Sequence, residues 1–126
     1  MTTKTNFENL EVWKLSMNLT IDIYKNLQLC KDFGFKDQIQ RASVSIPSNI
    51  AEGNEKLTNK DSIKYFSIAK GSSGEVRTQL YLAFALGYIS LEVKNELINR
   101  INLISKMLHS LIAYRKNSSK IPDENR

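Results

Sequence analysis

The chain has 126 residues, 41% of them hydrophobic and 25% charged, which are the values of an ordinary globular domain large enough for a core of its own. Its 18 basic and 13 acidic residues leave a formal charge of +5, which favours polyanions over cationic partners. Two prolines and five glycines are little material for turns, so a fold of many short strands gives way to one of long helices.

The N-terminal stretch MTTKTNFENLEVWK has no apolar core for a signal peptide, and its acidic residues do not suit an organelle transit peptide. The longest nearly apolar run, Leu80 to Ile89, is well short of the roughly 20 residues that cross a bilayer. The expectation is a soluble, cytoplasmic protein with no membrane partner.

The first helix is predicted from Leu10, Trp13, Met17, Ile21, Tyr24 and Leu27, an apolar stripe at helical spacing that Leu15, Leu19 and Ile23 widen. The stretch from Lys31 to Gly34 ends it. Cys30 is the single thiol and has no partner for a disulfide or a metal-binding spacing. It reads as a small, partly buried hydrophobe and not as a nucleophile, since the one histidine, His109, lies in a distant segment.

The second helix, from about Lys36 to Glu55, contains QIQRASVSIPSNIAEG. Ile39, Ser43, Ile46, Ile50 and Gly53 recur at steps of three and four although Pro47 sits among them. Proline lacks an amide hydrogen and its ring meets the carbonyl four residues back, here Ser43, a cost of roughly 3 kcal/mol in a helix interior. Because the apolar phase survives, one helix kinked at Pro47 is predicted. A break there stays open, since Ile46 is pushed towards extended geometry by the proline that follows it.

The third helix is predicted to begin after Thr58, where TNKD resembles a capping box with Asp61 in the usual place of glutamate, and to end near Gly87. One face carries Ile63, Phe66, Ala69, Ser73, Val76, Leu80 and Ala83, and a second carries Tyr65, Ile68, Leu82 and Leu86. Ser90 can cap a fourth helix whose buried stripe is Leu97, Ile101, Ile104, Leu108, Leu111 and Ile112. From Asn117 on there is almost nothing to bury, so residues 1–116 should form the bundle and 117–126 a flexible tail.

Four helices of about 20 residues joined by short loops pack most naturally as an all-α, antiparallel up-down-up-down four-helix bundle. The stripes on helices one and three are wider than an outward-facing helix of a monomer requires, and self-association is the simplest explanation.

Arg41, Ser45, Asn49 and Glu52 form a polar line along the second helix, and Glu75 and Gln79 offer matching groups on the third. If these lines meet, inside the bundle or at a subunit boundary, Ser45 and Asn49 can satisfy carbonyls freed by Pro47, and Arg41 can pair with Glu75. A structural network is favoured here over a catalytic or ligand site. Glu52 and Glu75 do not make a metal centre, because di-metal bundles use Glu-x-x-His motifs that this chain lacks. AKGSSGE is no phosphate loop either: it lies mid-helix, follows no strand and lacks the Walker lysine. Its Gly71, Ser72, Ser73 and Gly74 suit close approach of another helix. No cofactor and no catalytic residue is expected.

Lys56, Lys60 and Lys64 follow at four-residue steps across the start of helix three, and Arg115, Lys116 and Lys120 cluster near the C-terminus. These six are the candidate nucleic-acid contacts, although lysines also simply solvate exposed faces. No aromatic-rich strand or glycine-flanked clamp loop of the RNA-binding modules is present.

RASVSIPSNIAEG (41 to 53), FENLEVWKLS (7 to 16), IAKGSSGEVRTQL (68 to 80) and LGYIS (86 to 90) together resemble the "four helix bundle protein" family, whose members were first noticed as reading frames inside intervening sequences of bacterial 23S rRNA genes. The matching segments run in order from Phe7 to Ser90, while the fourth helix matches only in pattern. The resemblance implies a four-helix bundle in a ring-like homopentamer, in which five copies would carry +25, five times the charge of one. A relative, the accessory protein of diversity-generating retroelements, pairs with a reverse transcriptase and binds nucleic acid through a basic surface. No enzymatic activity is established for the family. The leading expectation is thus a non-catalytic, oligomeric protein that binds RNA or DNA, above all structured RNA or an RNA-protein complex, by backbone electrostatics. The alternative is a scaffold ring for a reverse transcriptase or another protein, and an enzyme comes third.

Overall fold

The computed structural model describes residues 6–120, with side chains as far as Ser118. A short 3-10 turn, Phe7–Asn9, precedes four α-helices: α1, Glu11–Asn26; α2, Phe33–Asn54; α3, Asn59–Ala85; and α4, Leu91–Lys120. The turn was not foreseen. It sets the Phe7 ring edge-on against Trp13 at 5.3 Å between centroids, which covers the open start of α1.

Four helix boundaries have a visible chemical cause. Asp32 caps α2 by accepting from the Phe35 amide at 3.2 Å, so α2 begins ahead of the expected Lys36 and takes Gly34 into its first turn. Thr58 accepts from the Asp61 amide at 3.2 Å and Ser90 from the Val93 amide at 3.1 Å, as the sequence indicated. Gly87, at φ +80°, ends α3: its amide reaches the Phe84 carbonyl at 3.0 Å and that of Tyr88 the Ala83 carbonyl at 2.8 Å, the two bonds of a Schellman motif.

Contact registers fix the packing. Ser45 meets Ser72 and Gly53 meets Ser62, so α2 and α3 run in opposite directions. Arg77 with Asn102 and Ser62 with Arg115 do the same for α3 and α4. The core is one cluster to which every helix contributes, with Leu19, Ile23, Ile39, Ile46, Ile50, Leu80, Ile101, Ile104 and Leu108 among its least exposed members. Against a gain of about 1.5–3 kcal/mol for each large apolar side chain removed from water, this is the main source of stability.

Two expectations need correction. On α1 the buried line is Val12, Ser16, Leu19, Ile23 and Leu27, while Ile21 and Tyr24 of the expected stripe are exposed and Trp13 and Met17 half-buried. The small polar Ser16 in the inward line hid it: its hydroxyl is satisfied by the Trp13 carbonyl of its own helix at 2.8 Å, so it buries without a stranded donor. Second, α4 continues through Asn117 to Lys120, where the start of a tail was expected; residues 121–126 lie outside the described residues.

Helix α2 is unbroken through Pro47, which settles the choice between one helix and two. The carbonyl left without an amide, that of Ser43, is met by the Thr20 hydroxyl of α1 at 3.0 Å. The expected donors, Ser45 and Asn49, do not do this: Asn49 Nδ2 donates to the Ser45 carbonyl at 2.8 Å and to its hydroxyl at 2.9 Å, one turn further along.

Candidate nucleic-acid interface

The end of α2, the start of α3 and the end of α4 meet at one end of the bundle, and their junction is built on Gly53. A Cβ at that position would lie 2.7 Å from Phe66 Cε1 and 3.1 Å from the Ser62 carbonyl oxygen, so only glycine lets α2 lie this close to α3. The Ser62 hydroxyl, fully buried, donates to the Gly53 carbonyl at 2.8 Å and so ties the two helices together.

Onto this junction α4 brings Arg115. Its Nη1 donates to Ser62 Oγ at 3.3 Å and Asn59 Oδ1 at 3.4 Å, and its guanidinium lies 5.5 Å from the centre of the Phe66 ring. Neutral acceptors and an aromatic face thereby hold a cation in place at the start of α3. This brings together the two basic clusters that the sequence kept about fifty residues apart: Lys56, Lys60 and Lys64 on one side, Arg115 and Lys116 on the other. The side chain of Lys120 lies outside the described residues.

The lysines are not equivalent. Lys56 is half-buried, forms an ion pair with Glu52 at 2.9 Å that raises its pKa, and places its ammonium 4.9 Å from the Tyr65 ring centre. Lys64 approaches the same ring at 5.6 Å. Among the described residues Lys60, Lys64 and Lys116 are exposed and form no ion pair. Exposed acids, Glu52, Glu55 and Asp61, share the region and reduce its field. Phe66, Ser62 and Asn59 were missed as supports because nothing in the sequence shows which residues α4 will reach.

The polar seam between α2 and α3 differs from expectation. Within the chain Arg41 does not pair with Glu75; it donates to Asp37 on its own helix at 2.8 Å and is largely exposed, since a partner one turn away costs less side-chain order than one on another helix. Ser45 and Ser72 do bridge the helices, at 2.9 Å between hydroxyl oxygens. Gln79 is buried and its Nε2 lies 3.4 Å from Glu75 Oε2, while its Oε1 has no partner. Of the four small residues on α3, Ser72 and Ser73 face the bundle; among the described residues Gly71 and Gly74 have nothing beyond the adjoining helix backbone within 4 Å of where a Cβ would stand.

Among the described residues no group of three or more His, Cys, Asp or Glu side chains could hold a metal ion, and no helix is long and apolar enough to cross a membrane.

Residues 8–110 match the model of the 23S rRNA-intervening sequence protein family. The chain belongs to that family. A solved structure with the same fold is the 1.70 Å crystal structure of a protein of unknown function from the S23 ribosomal protein family of Bacteroides thetaiotaomicron VPI-5482. It is 30% identical, superposes with a TM-score of 0.76, and the match covers 80% of this chain and 97% of that one. No curated protein matches. As a member of the 23S rRNA-intervening sequence protein family, the chain shares a four-helix architecture with that structure, and neither description names a catalytic activity.

Proposed function

We propose that this member of the family is a non-catalytic, cytoplasmic protein that assembles into a homopentamer and binds nucleic acid, above all structured RNA, through the basic end of the bundle. The observation that supports this reading is the convergence of Arg115 and Lys116 from α4 with Lys60 and Lys64 from α3. Arg115 of α4 is held on Phe66, Asn59 and Ser62 at the start of α3, the stretch of helix that also carries the exposed Lys60 and Lys64. Such a surface recognises the phosphate backbone and not the bases. Repetition of a modest contact around a ring would raise avidity wherever one RNA reaches several copies.

The second reading, a scaffold ring for a reverse transcriptase or another protein, draws on the apolar residues left exposed on α1 and α3, among them Ile21, Ile68, Leu82 and Leu86.

The experiment that separates the two readings is a salt titration of the purified assembly with structured RNA and with duplex DNA. Binding at low salt that falls steeply as salt rises supports the nucleic-acid reading. No binding to either at low salt ends it and leaves the scaffold. Light scattering at micromolar concentration tests the assembly, which fails if the mass is that of one 14.4 kDa chain.

A further inference from the structure

Three features of α3 have no use inside one chain. Gly71 and Gly74 sit in the middle of a 27-residue helix, where glycine is an unfavourable residue, yet among the described residues nothing beyond the adjoining helix backbone comes within 4 Å of the Cβ either would carry. Ile68, Leu82 and Leu86 are 42%, 47% and 54% exposed along the same outward side. Gln79, at the edge of that side, is only 6% exposed, and its Oε1 is buried with no donor. Ile68, Gly71, Glu75, Thr78, Leu82 and Ala85 alternate steps of three and four, the seam of a helix that packs lengthwise against another. The glycines then admit a second backbone, and the apolar residues close over it.

The same chain offers a surface that such a helix would fit. An apolar groove of about 380 Å3 runs between α1 and α2, lined by Trp13, Met17, Val44, Pro47 and Ala51 among others, and Pro47 is itself buried in its floor. Arg41 lies one turn before Val44 on α2, largely exposed, with its ion pair to Asp37 on the surface. Glu75 lies mid-way along the α3 seam, exposed, with Gln79 beside it. The groove thus presents a cation and the seam an anion.

We infer that the α3 seam of one copy docks in the α1–α2 groove of a second copy, with Arg41 of that copy reaching Glu75. The inference rests on the self-assembly reading above and adds its two faces. Because seam and groove are different surfaces, the contact is head-to-tail, and each copy keeps one of each for the next, so the series closes into a ring or continues as a filament. It also gives the exposed Arg41 a task that its surface pair with Asp37 does not supply.

The test is light scattering of purified variants at micromolar concentration, with circular dichroism as the check of folding. Gly71→Leu introduces bulk where this chain has open space, so the helices should form as before while the mass falls to that of one chain. Leu103→Ala, on an exposed position of α4, should leave the assembly intact. Glu75→Arg and Arg41→Glu should each weaken assembly by about tenfold or more, and the two together should restore it. A Gly71→Leu protein that keeps the mass of the parent overturns the inference while the assembly reading stands. A parent protein that is monomeric overturns both, and a double charge swap that fails to restore assembly overturns the pairing of Arg41 with Glu75.

Discussion

The hydroxyl of Thr20 on α1 lies 3.0 Å from the carbonyl oxygen of Ser43 on α2, the carbonyl that Pro47 leaves without an amide partner. A proline inside α2 is therefore tolerated because a neighbouring helix supplies the missing donor. The same hydroxyl is 2.8 Å from the Ser16 carbonyl of its own helix, so one proton serves two acceptors.

It follows that Thr20→Val, which keeps the shape and removes the donor, should cost about 1–3 kcal/mol, the usual penalty for stranding a buried polar group. Thr20→Ser should cost much less. In a Pro47→Ala background, where the alanine amide can bond Ser43, the loss from Thr20→Val should shrink. Chemical denaturation of the parent and these variants checks this; equal losses with and without Pro47 would mean that Thr20 acts through packing alone.

Gly53→Ala should destabilise the bundle even though alanine is the better helix former by about 1 kcal/mol. The added methyl would stand 2.7 Å from Phe66 Cε1 and 3.1 Å from the Ser62 carbonyl oxygen, and overpacking of this kind costs about 1–3 kcal/mol. Phe66→Leu should relieve part of the crowding, so the double variant should lose less than the sum of the two. Strict additivity in thermal melts would place the strain elsewhere.

Acid and alkaline stability should both depend on the contact between Asp32 and Tyr88, which links the α1–α2 and α3–α4 connections at 2.6 Å. The Tyr88 hydroxyl and then the Phe35 amide hold the Asp32 carboxyl below its ordinary value, so its contribution is present above about pH 3.8 and is lost as pH falls through the lower folded value. Asp32 in turn raises the Tyr88 phenol to about 12, so that contribution is full below pH 10 and disappears as pH rises towards 12. Tyr88→Phe should flatten both limbs of a plot of Tm against pH. A parent and variant with parallel curves at both extremes would remove this pair from the account.

Much of this was legible in the sequence. The inward lines of α2, α3 and α4 follow their apolar spacing, and the Thr58 and Ser90 caps follow from the side-chain oxygens available there. On α1 the inward line was missed, because the buried Ser16 stands in it and the expected stripe ran on through the exposed Ile21 and Tyr24. Partners across helices were not legible, because sequence gives periodicity within a helix and not the register between two. Arg41 thus chose Asp37, a neighbour on its own helix, and Arg115 found Ser62 and Phe66, residues fifty positions away.

The basic end of the bundle supports a graded prediction. Lys60→Gln, Lys64→Gln and Lys116→Gln together should weaken binding to all structured RNAs alike and flatten the dependence on salt, since each lost phosphate contact removes roughly 0.7 to 0.9 from the slope of log K against log salt. Lys56→Gln alone should do less, because Glu52 already neutralises part of its charge at 2.9 Å. Arg115→Lys is the most informative single change. A lysine keeps the charge but lacks the planar fork that donates to Ser62 and Asn59 while packing against Phe66, so binding should fall while the charge of the surface is unchanged. If Arg115→Lys binds RNA like the parent, the cation acts only through its charge. If the triple glutamine variant does so as well, the phosphate contacts lie on another face of the protein.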